Sequence, residues 1–312
     1  MKKSVIGTSQ EGNKGGNDHK PWVHRTGPPL TPVSILLIVA LVFLVGVMAL
    51  ASSACTTSPA TSTESDNFTV GDSATLIVRS LNGRIQVEAG SDNVVTVRAE
   101  LKDIRRIKYE AIQNGDEVIV TAEKTGDWWF PAGNTKADIY VTVPAHTALK
   151  LKTSNGKIEV QGTTRGGILE TSNGAILLDN VKGDFDATTS NGAVEIDTID
   201  GKASVKTSNG RVTLQEAKGA FNVKTSNGVV SFSGEMTPGG SNRLVTSNDD
   251  IEVELAGTLS LNINASTSNG EVKHPDVAIL ATKTDTDHLV GTIGAGEAEL
   301  YIETSNGDVV IK

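Results

Sequence analysis

Cysteine is almost missing from this chain: Cys55 stands alone. No intrachain disulfide can form, and no zinc site built on cysteines is available. Aromatic residues are scarce, at 4 % of the chain, against 32 glycines. Bulky globular cores draw heavily on Phe, Tyr and Trp, so the composition points to a thin, layered core of Val, Ile, Leu and Ala. Catalytic signatures are missing too. No GxSxG, Walker A or HExxH pattern occurs, and His19, His24, His146, His274 and His288 show no metal-ligand spacing. Positive charge is short outside the first 55 residues. The net charge is −9, residues 1–55 carry +3, and the remainder therefore carries −12. That acidity repels nucleic acid, which is not expected as a partner. No cofactor is expected.

One long apolar run stands out. Residues 33–51, VSILLIVALVFLVGVMALA, hold no charge. At about 1.5 Å per residue, such a helix matches a hydrocarbon core of about 30 Å. The five basic residues before it and the acidic residues after it predict a cytoplasmic N-terminus and an outside C-terminal part. The sequence thus predicts one N-terminal transmembrane helix, with the membrane as its partner and a single-pass cell-membrane location. A processed form is the alternative, because Ala49-Leu50-Ala51 has a cleavage-like form and Cys55 follows as a candidate lipidation site. A lipoprotein or secreted chain would result. Residues 1–32 read as a disordered cytoplasmic tail and residues 52–67 as a Ser/Thr-rich stalk.

What the chain has in abundance is a repeat. Thr-Ser-Asn-Gly starts at Thr153, Thr171, Thr189, Thr207, Thr225, Thr267 and Thr304, with a TSND variant at Thr246. The first five copies are 18 residues apart, the next two steps are 21 and the last is 37. A fixed period near 20 is the mark of a solenoid in which each repeat is one coil. Within the 18 lies a weaker 9-residue unit, with apolar residues alternating after each Gly, as in Gly210, Val212 and Leu214. That alternation is the two-residue period of a strand with one buried face. The Asn-Gly pairs read as positive-φ turns. Stacked coils would align Asn155, Asn173, Asn191, Asn209 and Asn227 about 4.8 Å apart, as a structural turn ladder. The 37-residue step holds a degenerate coil or a longer excursion. Residues 68–150 alternate well and read as earlier, irregular coils.

The segments ADIYVTVPAHTALKLKTSNGKIEVQG and GEAELYIETSNGDVVIK, with the serial TSNG coils between them, resemble the bacterial putative-adhesin family of β-strand-repeat proteins, which carries a domain of unknown function. The resemblance spans roughly residues 68–312. It implies a right-handed parallel β-helix-like domain in the cell envelope, and no catalytic residues to carry over. The expected fold is therefore all-β: a parallel β-solenoid of about 18-residue coils over 68–312, preceded by the transmembrane helix.

Three features invite a functional reading. Trp128, Trp129 and Phe130 concentrate aromatic area on one connection, where they form either a contact surface or a cap on the solenoid. Asp285 and Asp287 share one face if their segment is extended, with His288 beside them, as a cation site needs. Lys102, Arg105, Arg106 and Lys108 form a basic patch, more in keeping with a solvated face than with an anion site. Asp249-Asp250 points to opposite sides of a strand and does not suit shared chemistry. The reading is thus a non-enzymatic, adhesin-like or structural module of the envelope, with an envelope protein or glycan as partner. The competing readings are an envelope-stress signalling or sensing component and a polysaccharide-acting β-helix enzyme, the latter on fold analogy alone.

Overall fold

Alternate residues along the repeats turn inward, and this alternation builds the domain. The computed structural model describes residues 60–91, 93–125 and 135–312. In the strand Val194–Lys206, the side chains of Val194, Ile196, Ile199, Ala203 and Val205 are all buried, while Glu195, Asp197 and Ser204 face solvent. Each residue pairs in parallel with the one a full repeat later: Ile158 with Ile176, Ile176 with Val194, Val194 with Val212. Like side chains therefore stack on like. Val212 and Leu214 are completely buried, each such burial contributing about 1.5–3 kcal/mol before entropy is counted. Phe185 and Phe221 are the bulkiest core residues, and Phe221 packs against Phe232 with ring centroids 5.1 Å apart.

Each coil crosses two broad faces. The first runs through Ile85–Gly90, Ile158–Gln161, Ile176–Lys182, the leading halves of Val194–Lys206 and Val212–Lys224, Val230–Met236 and Ile251–Leu255. The second runs through Thr75–Ser80, Ala148–Lys152, Gly167–Glu170, Phe185–Thr188, the trailing halves of the same two long strands and Ser241–Val245. All 23 strands join one hydrogen-bonded sheet. It wraps as a nearly closed, barrel-like tube around a single core.

The bend between the faces is a left-handed corner. Gly162, Asn180, Thr198 and Glu216 stack there with φ of 75°, 48°, 61° and 46°. Such angles suit Gly and Asn and strain the β-branched Thr198.

Both ends depart from simple stacking. Thr75–Ser80 pairs with Ala148–Lys152 on one side and with Glu117–Lys124 on the other. The first coil is thus second in the stack. At the far end, Ala298–Thr304 lies between Ser241–Val245 and Leu261–Thr267, so the last coil is next to last. The chain between them forms antiparallel strands at the outer edges: Thr61–Thr69 on Val94–Lys102, Ile107–Asn114 on Glu117–Lys124, and Leu280–Thr284 on His288–Ile293.

These observations correct the sequence reading. Parallel coils run through the serial repeats, but the expected plain solenoid is instead a nearly closed, barrel-like all-β sheet with antiparallel strands at its ends, and the expected transmembrane helix is not found among the described residues. Among the described residues no helix is long and apolar enough to cross a membrane; the only helical turn is Ile104–Arg106. The run 33–51 lies outside the described residues. The end segments add irregular parallel coils, as Glu117–Lys124 and Lys136–Pro144 do, together with antiparallel strands that the sequence reading did not foresee. The 37-residue step is a hairpin excursion. Part of the expected stalk, Thr61–Thr69, is an edge strand. Its low hydrophobicity hid it, since an edge strand buries only one side of its hydrogen-bonding ladder.

Candidate functional site

The TSNG turns form the most regular surface of the molecule. Nine asparagines line up in spatial order: Asn82, Asn155, Asn173, Asn191, Asn209, Asn227, Asn248, Asn306 and Asn269. Each Nδ2 donates to the Oδ1 of the asparagine before it in this order, at 2.5–3.0 Å. Four members fall outside the set read from the sequence. Asn82 comes from the eroded SLNG copy, Asn248 from TSND, and Asn306 and Asn269 are exchanged in order by the inserted last coil.

Beneath the amides runs a buried threonine ladder. The Oγ1 of Thr171, Thr189, Thr207 and Thr225 donates to the carbonyl of Gly156, Gly174, Gly192 and Gly210 in the coil below, at 3.0–3.2 Å. The amides of Gly174 and Gly192 in turn donate to Thr171 and Thr189 Oγ1. The role of the repeat glycine differs from the positive-φ turn read in the sequence. Positive φ is found at other glycines, and not at Gly192. A Cβ on Gly192 would meet the Gly174 carbonyl oxygen at 1.8 Å. Close approach of successive coils, rather than turn handedness, demands glycine here. In TSND, the Asp249 carbonyl accepts from Thr304 Oγ1 at 2.8 Å, and Asp250 Oδ1 accepts from the Asp308 amide at 2.7 Å. Both are structural contacts.

The remaining candidates are dispersed. Asp285 and Asp287 sit at a hairpin tip, not on an extended strand. Asp285 pairs with Lys283 at 3.3 Å, and His288 contacts Lys283 at 2.8 Å and Asn264 at 3.2 Å. No group of metal-ligating side chains occurs among the described residues. In the basic patch, Arg105 and Arg106 reach Asp103, and Lys108 reaches Glu110. Lys102 instead lies opposite Lys136 in the antiparallel ladder. Trp128, Trp129, Phe130 and Cys55 lie outside the described residues.

Two perturbed groups stand out, neither foreseen from the sequence. The Tyr109 phenol is held above its ordinary range, first by burial and then by its hydrogen bond to Asp66 at 2.9 Å. That bond ties the edge strand Thr61–Thr69 to Ile107–Asn114, a strand with which it shares no ladder. Asp308 is held below the ordinary carboxylate range by Lys273 at 2.8 Å and by the Glu271 amide; Lys273 is raised in return. This pair links the inserted last coil to the outer one.

The best-formed surface depressions are shallow and open. One lies on the first face among Gln86, Glu88, Glu159, Gln161 and Asp179. Another lies on the second face among Ile77, Arg79, Lys150, Lys152 and Ile168. Outward side chains of neighbouring coils line both, so each is a stretch of regular face rather than a chamber.

A family model matches residues 75–312, covering the serial coils and both irregular ends. The chain belongs to the Toastrack DUF4097 family. Among solved structures, a putative cell adhesion protein from Clostridium sporogenes is 12 % identical, with 81 % of this Toastrack chain and 99 % of that chain covered and a TM-score of 0.30. A putative adhesin from Bacteroides fragilis is 11 % identical, with 81 % and 99 % covered and a TM-score of 0.33. A putative lipid binding protein from Parabacteroides distasonis is 11 % identical, with 80 % and 97 % covered and a TM-score of 0.39. Likenesses this distant carry no argument about the ligand of this chain. No curated protein matches it.

Proposed function

We propose that the Toastrack domain is an adhesin-like interaction module of the cell envelope, displayed outside the cytoplasm and working without catalysis. One observation carries the reading: two long, regular faces whose outward rows repeat with every coil. Such faces offer extended contact to a protein or a polymer, whereas a catalyst needs convergent groups in a water-excluding pocket. The test is retention of the purified, labelled chain on isolated envelopes. Saturable retention, competed by unlabelled chain, is expected. Retention that never saturates, or is absent, overturns the proposal, as does turnover of envelope polysaccharide by the purified chain.

A further inference from the structure

In the central coils the two faces carry opposite charge, although the flanking strands Glu117–Lys124 and Ala298–Thr304 add Glu123 and Glu299 at the ends of the basic one. On the first, the outward residues ahead of the left-handed corner, from Ile85–Gly90 to Ile251–Leu255, include Glu88, Glu159, Asp179, Glu195, Asp197, Glu252 and Glu254, while Lys182 and Lys218 lie past that corner and Arg84 and Lys157 border the face. On the second, those from Thr75–Ser80 to Ser241–Val245 include Arg79, Lys150, Lys152, Lys206, Lys224 and Arg243, against Glu170 and Asp186. Like charges are even stacked on adjacent rungs: Asp179 beside Asp197, Lys206 beside Lys224, Arg79 beside Lys152. Such stacking costs stability. A surface shaped only for solubility would intersperse the signs.

Internal partners leave most of these charges uncompensated. Glu159 reaches Arg84 and Lys157 at the corner, Lys152 reaches Glu170, and Arg243 reaches Glu303. Among the described residues, Glu195, Asp197, Lys150, Lys206 and Lys224 make no ion pair.

We propose that the acidic face of one copy docks on the basic face of a second copy, side by side. Both faces share one pitch, about 4.8 Å per coil, so rows of opposite sign come into register along the stack. The chain's net negative charge does not forbid this. Sheets packed face to face lie about 10 Å apart, and their outward side chains add to that distance, while the Debye length is about 8 Å at physiological ionic strength. At contact, each face therefore senses chiefly the face opposite. Seven strands of about five residues make a patch of roughly 29 by 16 Å. That is at the small end of specific interfaces, so the contact is weak in dilute solution and gains from crowding at a surface. Because two different patches meet, the association is open-ended rather than a closed dimer.

This inference goes beyond the envelope-binding proposal and needs no outside ligand, so the two fail separately. The test is sedimentation of the purified full chain over a range of concentrations at about 0.1 M and 1 M salt. The lower salt should show concentration-dependent growth in size, and 1 M salt, where the Debye length falls to about 3 Å, should abolish it. One variant reverses the acidic face (Asp179→Lys, Glu195→Lys and Asp197→Lys). A second reverses the basic face (Lys150→Glu, Lys206→Glu and Lys224→Glu). Each alone should associate at least tenfold more weakly, and an equimolar mixture should regain association because the reversed faces complement each other. Residues 1–59 are common to every variant, so any association through them is unchanged across the set. If a triple variant does not fold, Glu195→Lys and Lys206→Glu give the same three-way comparison. A wild-type chain that stays monomeric at the lower salt overturns the proposal. So does association that either reversal leaves intact, or a mixture that does not recover.

Discussion

Two threonines a coil and a half apart should respond with opposite sign to the same substitution. Thr163 is completely buried, and its Oγ1 has no hydrogen-bond partner among the described residues. In the next coils its place is taken by Val181 and Ile199, both buried. The hydroxyl is thus an orphan in an apolar column, and burying such a group costs about 1–3 kcal/mol. Thr163→Val removes the orphan and keeps nearly the same shape. It should stabilise the domain by about 1–2 kcal/mol. Thr189 is also buried, but its Oγ1 donates to the Gly174 carbonyl at 3.0 Å and accepts from the Gly192 amide at 3.2 Å. Thr189→Val leaves both backbone groups unpaired and should cost about 1–3 kcal/mol. Urea unfolding of the two variants reads the difference as midpoints shifted in opposite directions at an unchanged m-value. If both variants move the same way, hydroxyl satisfaction does not decide the role of these threonines, and the ladder argument fails.

Three further predictions follow from the stacking. Gly192→Ala should destabilise by more than about 3 kcal/mol, the scale of a severe backbone or packing fault, because its methyl would collide with a carbonyl of the coil below; a melting temperature near wild type would refute the close-approach account. Asp308 should titrate below the ordinary value of about 3.9, and Lys273→Ala should move its midpoint up, read by carbon NMR of the carboxyl. Its folded pKa is depressed, so the pair's contribution is present above the unfolded-state value and is lost as pH falls through the folded one; an unmoved midpoint would refute it. Deleting residues 298–312 should also release Leu261–Thr267 and His288–Ile293, because Ala298–Thr304 joins them to the stack. Hydrogen exchange should show both regions unprotected, and protection retained at Leu261–Thr267 would mean that the outer coil docks independently.

The serial coils were legible because their signal is redundant. Each repeat restates the same inward set, Val194 and Ile196, then Val212 and Leu214, so one period fixes every parallel register. The ends were not legible, since insertion of a coil out of order leaves no mark on local alternation. Ser80-Leu81-Asn82-Gly83 looks eroded in sequence, yet Asn82 hydrogen-bonds directly to Asn155 across 73 positions. The spacing cannot report that contact, because Glu117–Lys124 and Lys136–Pro144 complete a coil on its other side. The acidic pair was legible only as a conditional. Asp285 and Asp287 share a face only if extended, and the chain turns at their position. The charge division between faces was readable in principle. It needed the two half-repeats to be kept apart when charges were counted, because the whole-chain total averages them away.

The inserted end coils also bear on how a stack of near-identical units stops. Any rung of a parallel coil exposes unpaired amides and carbonyls that another rung can satisfy, so a plain solenoid invites end-to-end growth. Here neither terminal coil lies outermost. Each is held between two others, and strands paired antiparallel occupy the rims: Thr61–Thr69 and Ile107–Asn114 at one end, and Leu280–Thr284 at the other. These rim strands are mostly exposed and carry Glu64, Asp66, Lys108, Glu110 and Lys283, charges that discourage a further strand from adding. Growth along the axis is therefore disfavoured by the same topology that broke the sequence period. The long faces are left as the surfaces open to a partner, and on their central coils acidic residues prevail on one and basic residues on the other.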